Sequence, residues 1–144
     1  MAIEENKALA RRALEEVWSR GDLSAADQIY SPDFTSHQRS HPDQAGDVRG
    51  RDNLKSFVAE LRSAFPDFSD TVDDQVAEGD KVVTRFTSYG THRGPFMGLA
   101  ASGRSVSWMG ITIDRIAESK IVENWVSWDM FGVMQQLGAA GTGP

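Results

Sequence analysis

Hydrophobic residues in the first half of the chain recur at the spacing of an α-helix. Across residues 3–19 the apolar positions stand three or four apart, with Glu, Lys and Arg between them, which predicts an amphipathic helix. Asp22 is placed to cap a short second helix that runs to Tyr30. A third helix is predicted from residue 50 until Pro66 ends it, and between the last two helices residues 34–37 form a short extended piece.

The second half of the chain changes to the alternating pattern of β-strands. Extended segments are predicted over residues 68–77, 81–91, 104–116 and 120–128, followed by a short helix over residues 130–137. Because short turns rather than helices join these strands, a doubly wound parallel sheet is excluded. We expect an α+β fold, in which the N-terminal helices pack against one strongly curved antiparallel sheet.

Two segments within the chain and one at its end lack any periodicity. Residues 38–49 are rich in turn-forming residues and predict an exposed loop, and residues 93–103 predict a loop punctuated by glycine. Residues 139–144 predict a flexible tail. No internal repeat is visible, so residues 1–144 predict a single domain.

Composition and charge narrow the possible functions. The chain has 144 residues, 15 Lys and Arg against 21 Asp and Glu, and a net charge of −6, which argues against nucleic-acid binding. It contains no cysteine, which excludes disulfides, a thiolate nucleophile and iron–sulfur clusters. No apolar run approaches the roughly 20 residues of a membrane helix, and the acidic, amphipathic N-terminus is unlike a signal peptide. We therefore expect a soluble cytoplasmic protein.

Three stretches of the sequence resemble a known family. They are NKALARRALEEVWSRGDLSAADQIYSPDFTSH, EGDKVVTRFTSYGTHRGPFMGLAASGR and KIVENWVSWDMFGVMQQLG. Their ordered set of G-T-H-x-G, a Gly-rich loop and W-D-x-x-G-x-x-Q-Q-L-G is similar to the SnoaL-like polyketide cyclases, also called ester cyclases. The resemblance covers residues 6–138 and implies an α+β barrel of the nuclear-transport-factor-2 type, with a conical apolar cup and frequently a homodimer.

The resemblance also implies a reaction. In the characterised cyclases an aromatic polyketide ester undergoes intramolecular aldol ring closure without a metal or an organic cofactor. An Asp in the last strand acts as general acid and base, aided by a Gln and a His on the neighbouring strand. Here Val126, Gly110 and Thr112 stand at those positions, so the cup is expected to be kept while the aldol machinery is not carried over.

That departure leaves several functions open. We expect a cyclase that catalyses cofactor-independent ring closure or a related proton transfer on a polyketide or aromatic intermediate. The alternatives are a cofactor-independent hydroxylase or isomerase in the same cup, and a non-catalytic small-molecule-binding protein. A limonene-type epoxide hydrolase shares the fold, and Arg85 and Asp114 are present, but Arg85 is better placed to pair with Asp73 or Asp74.

Three residues are candidates for catalysis. His37 follows a short strand where the mouth of the cup is expected, and a neutral imidazole can shuttle a proton near pH 7. Asp129 is the carboxylate nearest the lost catalytic position, although it also precedes a helix that it can cap. His92 ends a strand and either fixes the following loop or faces the ligand. His37 and His41 have the spacing of helical metal ligands, but the neighbouring prolines make a metal site unexpected.

Other residues are expected to bind the substrate. Asn124 and Thr112 share the inward strand parity and would hold the developing enolate oxygen. The tryptophans offer flat walls for a flat ligand, and Gly110 would enlarge the cup. Trp125 has the outward parity and suits a subunit interface. The predicted substrate-binding set is Trp18, Trp108, Gly110, Thr112, Asn124, Val126 and Trp128.

Overall fold

The N-terminal helices form where the sequence predicts them. In the computed structural model, which describes residues 2–38 and 47–138, α1 spans Ala2–Arg12 and continues as a π-helical segment, Ala13–Ser19. The helix α2, Leu23–Ile29, begins at Asp22, whose carboxylate accepts hydrogen bonds from the backbone amides of Ser24 and Ala25 at 3.1 Å. The cap satisfies amides that the helix itself leaves without partners. The π-helical geometry was not predicted.

The remaining elements agree with the predicted segments to within a few residues, apart from a longer first strand. The predicted loop at 38–49 lies largely outside the described residues, and its end forms the short strand β2. The predicted tail, residues 139–144, also lies outside them. The elements after α2 are β1 Tyr30–Gln38, β2 Val48–Arg49, α3 Arg51–Ala64, β3 Ser69–Glu78, β4 Lys81–Thr91, β5 Ser105–Ala117, β6 Lys120–Trp128 and α4 Met130–Gln136.

The strands form one curled sheet that does not close. Its order is β2-β1-β6-β5-β4-β3. Consecutive strands from β3 to β6 pair antiparallel, as predicted. The prediction of a wholly antiparallel sheet is wrong at one place, because β1 pairs parallel with β6. A parallel pair needs a long connection, and here that connection contains α3 and the four other strands of the same sheet.

The two faces of the sheet have different environments. Along β5 exposed and buried residues alternate strictly through the first eight positions, and every second residue stays buried as far as Ile116. Trp108, Thr112 and Asp114 therefore face the helices, while Met109 and Ile111 face outward. The helices cover the concave face, and the core lies between them and the inward side chains. The inner face therefore encloses the polar residues that the fold buries.

The loop between β4 and β5 is anchored to the end of α3. The backbone amides of Arg93 and Gly94 donate to the carbonyl oxygen of Ala64 at 2.9 and 3.1 Å. A Cβ atom at Gly94 would lie 2.5 Å from the carbonyl oxygen of Ser63, so only glycine allows this approach. The anchor places the loop beside α3 and forms a cleft between them.

Among the described residues, no helix has the length and apolar character to cross a membrane.

Candidate functional site

A small cavity, lined by both apolar and polar side chains, lies between the first helices and the concave face of the sheet. Its volume is about 30 Å³, which suits a water molecule or a small substrate group rather than a whole polycyclic ligand. The expectation of a large empty apolar cup is therefore wrong, because the side chains that line this space, four of them aromatic, leave only a small cavity between them. The cavity is lined by Ala10, Ala13, Leu14, Trp18, Tyr30, Ser36, Gln38, Leu54, Asp70, Phe86, Thr112, Asp114, Asn124, Val126 and Trp128.

Asp114 is the most deeply buried carboxyl group in the cavity lining. The residue is 4% exposed, and burial raises the pKa of its carboxyl group to about 7. Hydrogen bonding from Asn124, whose amide nitrogen Nδ2 lies 3.1 Å from Oδ1, and the nearby hydroxyl of Thr112 act in the opposite direction on this pKa. A carboxyl group with a pKa near neutrality is suited to both accepting and donating a proton.

Asp70 places a second carboxyl group in the same cavity. It lies on β3, and burial raises its pKa to about 7 as well. The hydroxyl of Ser88 donates a hydrogen bond to Oδ1, which lowers the pKa and partly offsets the effect of burial. The backbone of Asp70 is held by a hydrogen bond from its amide to the hydroxyl oxygen of Ser19 at 2.8 Å. Each of the two carboxyl groups can therefore accept or donate a proton near neutral pH.

Tyr30 places a phenol in the same cavity as the two carboxyl groups. Its hydroxyl oxygen accepts a hydrogen bond from Trp18 Nε1 at 3.2 Å, and among the described residues it donates to no protein acceptor. Burial, followed by the charges of Asp114 and Asp70, raises the pKa of Tyr30 above its usual range. The phenol therefore stays protonated, with its hydrogen available to a bound oxygen atom.

The position of Trp18 depends on the π-helical segment and on Arg62. Extra residues in a π-helical turn are frequent at functional sites, and here the segment turns Ala13, Leu14 and Trp18 into the cavity. The guanidinium of Arg62 donates from Nη1 to the carbonyl oxygens of Trp18 and Ser19 at 3.0 and 2.8 Å. Arg62 thus satisfies the carbonyl oxygens at the end of the segment. It also fixes the backbone of Trp18, whose indole Nε1 donates to the hydroxyl oxygen of Tyr30.

Five of the predicted substrate-binding residues line the cavity: Trp18, Thr112, Asn124, Val126 and Trp128. The other two do not. Trp108 faces inward but packs in the core against Phe65 and Phe68, with ring centroids 5.6 and 5.8 Å away.

Gly110 does not enlarge the cavity, which corrects the sequence-based expectation. A Cβ atom at this position would lie 2.5 Å from Phe86 Cζ and 2.6 Å from Trp128 Cδ1. The space that a side chain would take is therefore already filled by these two rings. Gly110 is required by a close aromatic approach rather than by an open volume.

His37 lies outside the cavity, which corrects its predicted place at the mouth of the cup. It is within β1, and its neighbours Ser36 and Gln38 face inward while its ring faces the outer side of the sheet. Its Nε2 lies 2.7 Å from Glu123 Oε2, and its Nδ1 lies 3.1 Å from Asp47 Oδ2. These contacts, led by the bond to Glu123, raise the pKa of His37. The sheet therefore separates this imidazole from the buried carboxyl groups.

The other two predicted catalytic residues have structural contacts. Asp129 is exposed and caps α4, with its Oδ1 accepting from the Gly132 amide at 2.9 Å. His92 is fully buried, and its Nδ1 accepts a hydrogen bond from the Ser102 amide at 3.2 Å. Neither residue lines the cavity. Asp129 is therefore a helix cap and His92 a loop anchor, the alternatives to catalysis that the sequence left open for each of them.

The structure also tests the arrangement of an epoxide hydrolase and of a metal site. Arg85 lies on the outer face and pairs with Asp73 at 3.7 Å, in agreement with the expected pairing with Asp73 or Asp74. It therefore cannot join Asp114 on the inner face.

His41, the second residue of the metal-like spacing, lies outside the described residues. Residues 2–38 and 47–138 contain no cluster of three or more His, Cys, Asp or Glu that could hold a metal ion.

An outer cleft opens beside the cavity, between α3 and the loop that follows β4. It has a volume of about 400 Å³. Trp128 lines both the cleft and the inner cavity. The cleft is lined by Phe57, Glu60, Leu61, Ser63, Pro95, Phe96, Met97 and Trp128.

Comparison with known proteins places this fold and site in a family. The family model of the SnoaL-like polyketide cyclases matches residues 8–137, which is most of the chain. The chain belongs to the SnoaL-like polyketide cyclase family. The curled sheet, the residues that line the buried cavity and all helices except the start of α1 lie within the matched region, so the resemblance seen in the sequence is confirmed.

Solved structures of SnoaL-like proteins match over nearly their whole lengths. AclR of Streptomyces galilaeus, a candidate hydroxylase, is 32% identical with a TM-score of 0.80, covering 94% of this chain and 97% of AclR. IdmH of Streptomyces antibioticus, a candidate polyketide cyclase, is 29% identical with a TM-score of 0.82, covering 93% and 99%. A SnoaL-like protein from Jannaschia sp. CCS1 is 26% identical with a TM-score of 0.82, covering 99% and 95%. Among curated proteins, none matches this chain significantly.

Sequence reasoning missed the two carboxyl groups as parts of the SnoaL-like cavity. Asp114 shares its strand parity with Thr112, and an acidic residue on the inward side of a central strand is a signal that could have found it. Asp70 gave no such signal, because β3 carries acidic residues at both parities, Asp70 beside Asp73 and Asp74, so its sequence does not mark one of them as inward. Tyr30 was assigned to the end of a helix rather than to the first residue of β1.

Proposed function

We propose that the protein is a SnoaL-like cyclase that catalyses cofactor-independent ring closure of a polyketide or aromatic intermediate. Family membership supports a polyketide cyclase-type role. The observation that carries the more specific proposal is a buried carboxyl group, Asp114, whose pKa is about 7 and which faces the cavity together with a second carboxyl group and a phenol. This set replaces the acid–base residues that the family's aldol enzymes carry elsewhere.

In the proposed reaction Asp114 is the general base. Asn124 donates to its carboxylate and so favours the ionised form that accepts a proton. Asp114 takes a proton from the carbon next to a substrate carbonyl, and Tyr30 donates a hydrogen bond to the enolate oxygen that results.

Ring closure follows from the enolate. Its carbon attacks a second carbonyl carbon of the same molecule, one carbon–carbon bond forms, and the oxygen of that carbonyl takes a proton from Asp70. The proton accepted by Asp114 then returns to Asp70 through the solvent or the product. Atoms and electrons balance without an oxidant or a reductant. Holding the two carbons together supplies much of the rate enhancement.

Proton abstraction can be measured before the natural substrate is identified. Uptake of deuterium from D₂O into the methyl group of an aryl methyl ketone, followed by NMR, reports the base directly. We expect D114N to slow the catalysed exchange at least about 100-fold, as for loss of a general base. The matched control is D73N, which changes a carboxylate on the outer face of the same sheet. Equal rates for D114N and the native protein would exclude Asp114 as the base.

A hydroxylase is the second candidate, because AclR, a candidate hydroxylase, is 32% identical over nearly its full length. Hydroxylation inserts an oxygen atom from O₂ and needs two electrons, which the substrate itself would have to supply. Product mass after incubation under oxygen and under argon distinguishes the two reactions. A cyclase gives the same product in both atmospheres.

We further propose that the chain forms a homodimer through the outer face of its sheet. Exposed and half-buried apolar side chains of the outer face align across the strands, since Val76 pairs with Val83, Val83 with Ile113, and Ile113 with Trp125. Val76 is 58% and Trp125 38% exposed, and Met109 extends the same apolar surface. A contiguous apolar surface of this kind usually marks an interface. A second copy of the chain would bury it.

A further inference from the structure

The inner cavity and the outer cleft differ greatly in size, and one side chain separates them. The cavity holds about 30 Å³ and the cleft about 400 Å³. Pockets that accept drug-sized molecules are about 300–1,000 Å³, so of these two spaces the cleft is the one large enough for a ring system. The cavity suits a single small group. Because Trp128 lines both spaces, its indole forms the wall between them.

Close aromatic packing determines the position of this indole. Its ring centroid lies 6.3 Å from that of Trp18 with an interplanar angle of 82°, and 6.1 Å from that of Phe57. On its other side Trp128 rests on the backbone of Gly110, where any Cβ atom would lie 2.6 Å from Cδ1. The absence of a side chain at Gly110 therefore leaves space for the indole of Trp128, which explains a glycine in the middle of a central strand.

The walls of the cleft are mostly apolar and aromatic. Phe57 and Leu61 come from α3, and Phe96 and Met97 come from the loop opposite. Glu60 is exposed and brings the one ionisable side chain of the lining. Such a cleft favours a flat, uncharged ligand over an anion, and a carboxylate accepts hydrogen bonds from hydroxyl groups on its edge.

The loop side of the cleft is already formed in this conformation. The amide of Phe96 donates to the carbonyl oxygen of Leu99, and the amide of Leu99 donates to that of Phe96, both at 2.9 Å. The ring of Phe96 packs against Phe65 with a centroid distance of 5.1 Å. The cleft can thus bind a ligand without first ordering the loop, which avoids an entropic cost.

We propose that the outer cleft is the recognition subsite for the fused-ring body of an uncharged aromatic substrate, and that Trp128 determines which part of the substrate enters the inner cavity. This inference rests on the proposed function, because it divides the substrate into a ring body in the cleft and a reacting chain, with its two carbonyl groups, in the cavity that opens when Trp128 moves. When Trp128 rotates away from Trp18 and Phe57, the two spaces join. The reacting group then reaches Asp114 while the rings remain outside.

Binding to the cleft is tested with a probe that does not react, the methyl ester of anthraquinone-2-carboxylic acid. We expect F96S to weaken binding in equilibrium dialysis at least tenfold, while Y89S, which removes an exposed ring from the outer face of the sheet, leaves it unchanged. M97S gives a second test in the event that F96S does not fold. Affinities equal to that of the native protein in both cleft variants would overturn the proposal.

The role of Glu60 is tested with the same ring system in two charge states. The free acid of the probe is an anion at pH 7.5, and we expect it to bind at least threefold more weakly than the methyl ester. E60Q should reduce that preference, because it removes the like charge. A free acid that binds as tightly as the ester would contradict the placement of the probe beside Glu60.

The wall is tested by a titration that does not depend on turnover. Replacing Trp128 opens the cavity to the cleft and to water, so W128A should lower the pKa of Asp114 by at least one unit in a carboxyl ¹³C NMR titration. The control is W125A, three residues earlier in β6 and facing outward, which should leave that pKa unchanged. An unchanged pKa in W128A would show that Trp128 does not close the cavity.

The two proposals fail in different ways. If D114N keeps its rate of deuterium exchange while F96S still loses the probe, the acid–base mechanism is wrong and the subsite stands. If D114N loses exchange while F96S and M97S bind the probe like the native protein, the mechanism stands and the subsite is wrong.

Discussion

Asp114 and Asn124 face each other directly across the pair of strands β5 and β6, and the amide Nδ2 of Asn124 donates to the carboxylate Oδ1 of Asp114 at 3.1 Å. Both residues are buried, at 4% and 8% exposure. A cross-strand pair fixes both side chains on rigid backbone, which is what a reacting group requires. The carboxyl group is thus oriented by its partner while burial keeps it close to its protonated form.

The burial of Asp114 predicts how stability depends on pH. Its pKa rises from 3.8 in the unfolded chain to about 7 in the folded protein. Between these values the folded state binds more protons, so this group makes the protein less stable as the pH rises. Between pH 4 and pH 8 the free energy of unfolding should therefore fall by about 4 kcal/mol less in D114N than in the native protein.

Chemical denaturation of D114N and the native protein at a series of pH values measures this difference. D73N, at an exposed position on the outer face, should follow the native pH dependence. Parallel curves for D114N and the native protein would mean that the carboxyl group of Asp114 is not perturbed by burial.

The close contact at Gly110 predicts the effect of a single methyl group. G110A places a Cβ atom against Phe86 and Trp128, and we expect it to destabilise the fold by about 1–3 kcal/mol through overpacking. Combining G110A with W128A should remove part of that penalty, because the indole is one of the two groups in contact. Thermal unfolding of the four proteins in this double-mutant cycle measures the coupling, and strictly additive effects would contradict the contact.

The outer-face position of His37 predicts that it does not take part in proton transfer. H37Q should leave deuterium exchange of the aryl methyl ketone within twofold of the native rate. NMR titration of the His37 ring should give a pKa above 6.5, and E123Q should lower it, because the bond to Glu123 is the largest cause of the increase. Any stabilisation from this ion pair is complete below pH 6.5 and is lost as the pH rises through the pKa of the folded state.

A tenfold loss of exchange in H37Q would return this histidine to the mechanism. An unshifted titration in the native protein would instead show that the contacts with Glu123 and Asp47 do not persist in solution.

The aligned outer face predicts the assembly state. We expect sedimentation velocity to give a dimer for the native chain and a monomer for W125E, since a charge within an apolar interface is strongly unfavourable. R11E, on the exposed surface of α1, should remain a dimer. A native chain that sediments as a monomer at high concentration would contradict the proposed interface.

The sequence was sufficient for most of the fold because local patterns determine the elements. Helical spacing located α1 and α3, and the cap at Asp22 located α2. The alternation in β4 and β5 gave the inward parity of Thr112 correctly. These features depend on neighbours within a few residues, so a single sequence displays them.

The site was harder to predict because it depends on contacts between distant segments. The parallel pairing of β1 with β6 brings Ser36 beside Asn124 and turns His37 outward. Asp70 joins the cavity only through the curl of the sheet and its contact with Ser88. The missing side chain at Gly110 suggested open space in the cavity. Nothing in the neighbouring sequence shows that two aromatic rings from other strands fill that space.

The most direct test of the account is the pH dependence of deuterium exchange catalysed by the native protein. If Asp114 is the base, the rate should rise with pH, with a midpoint near 7, and level off above it, because only the carboxylate accepts the proton. In D114N that titration should disappear while the exchange of D73N remains native. A rate that is independent of pH between 5 and 9, or a midpoint near 7 that persists in D114N, would contradict the proposal that this buried carboxyl group carries the chemistry.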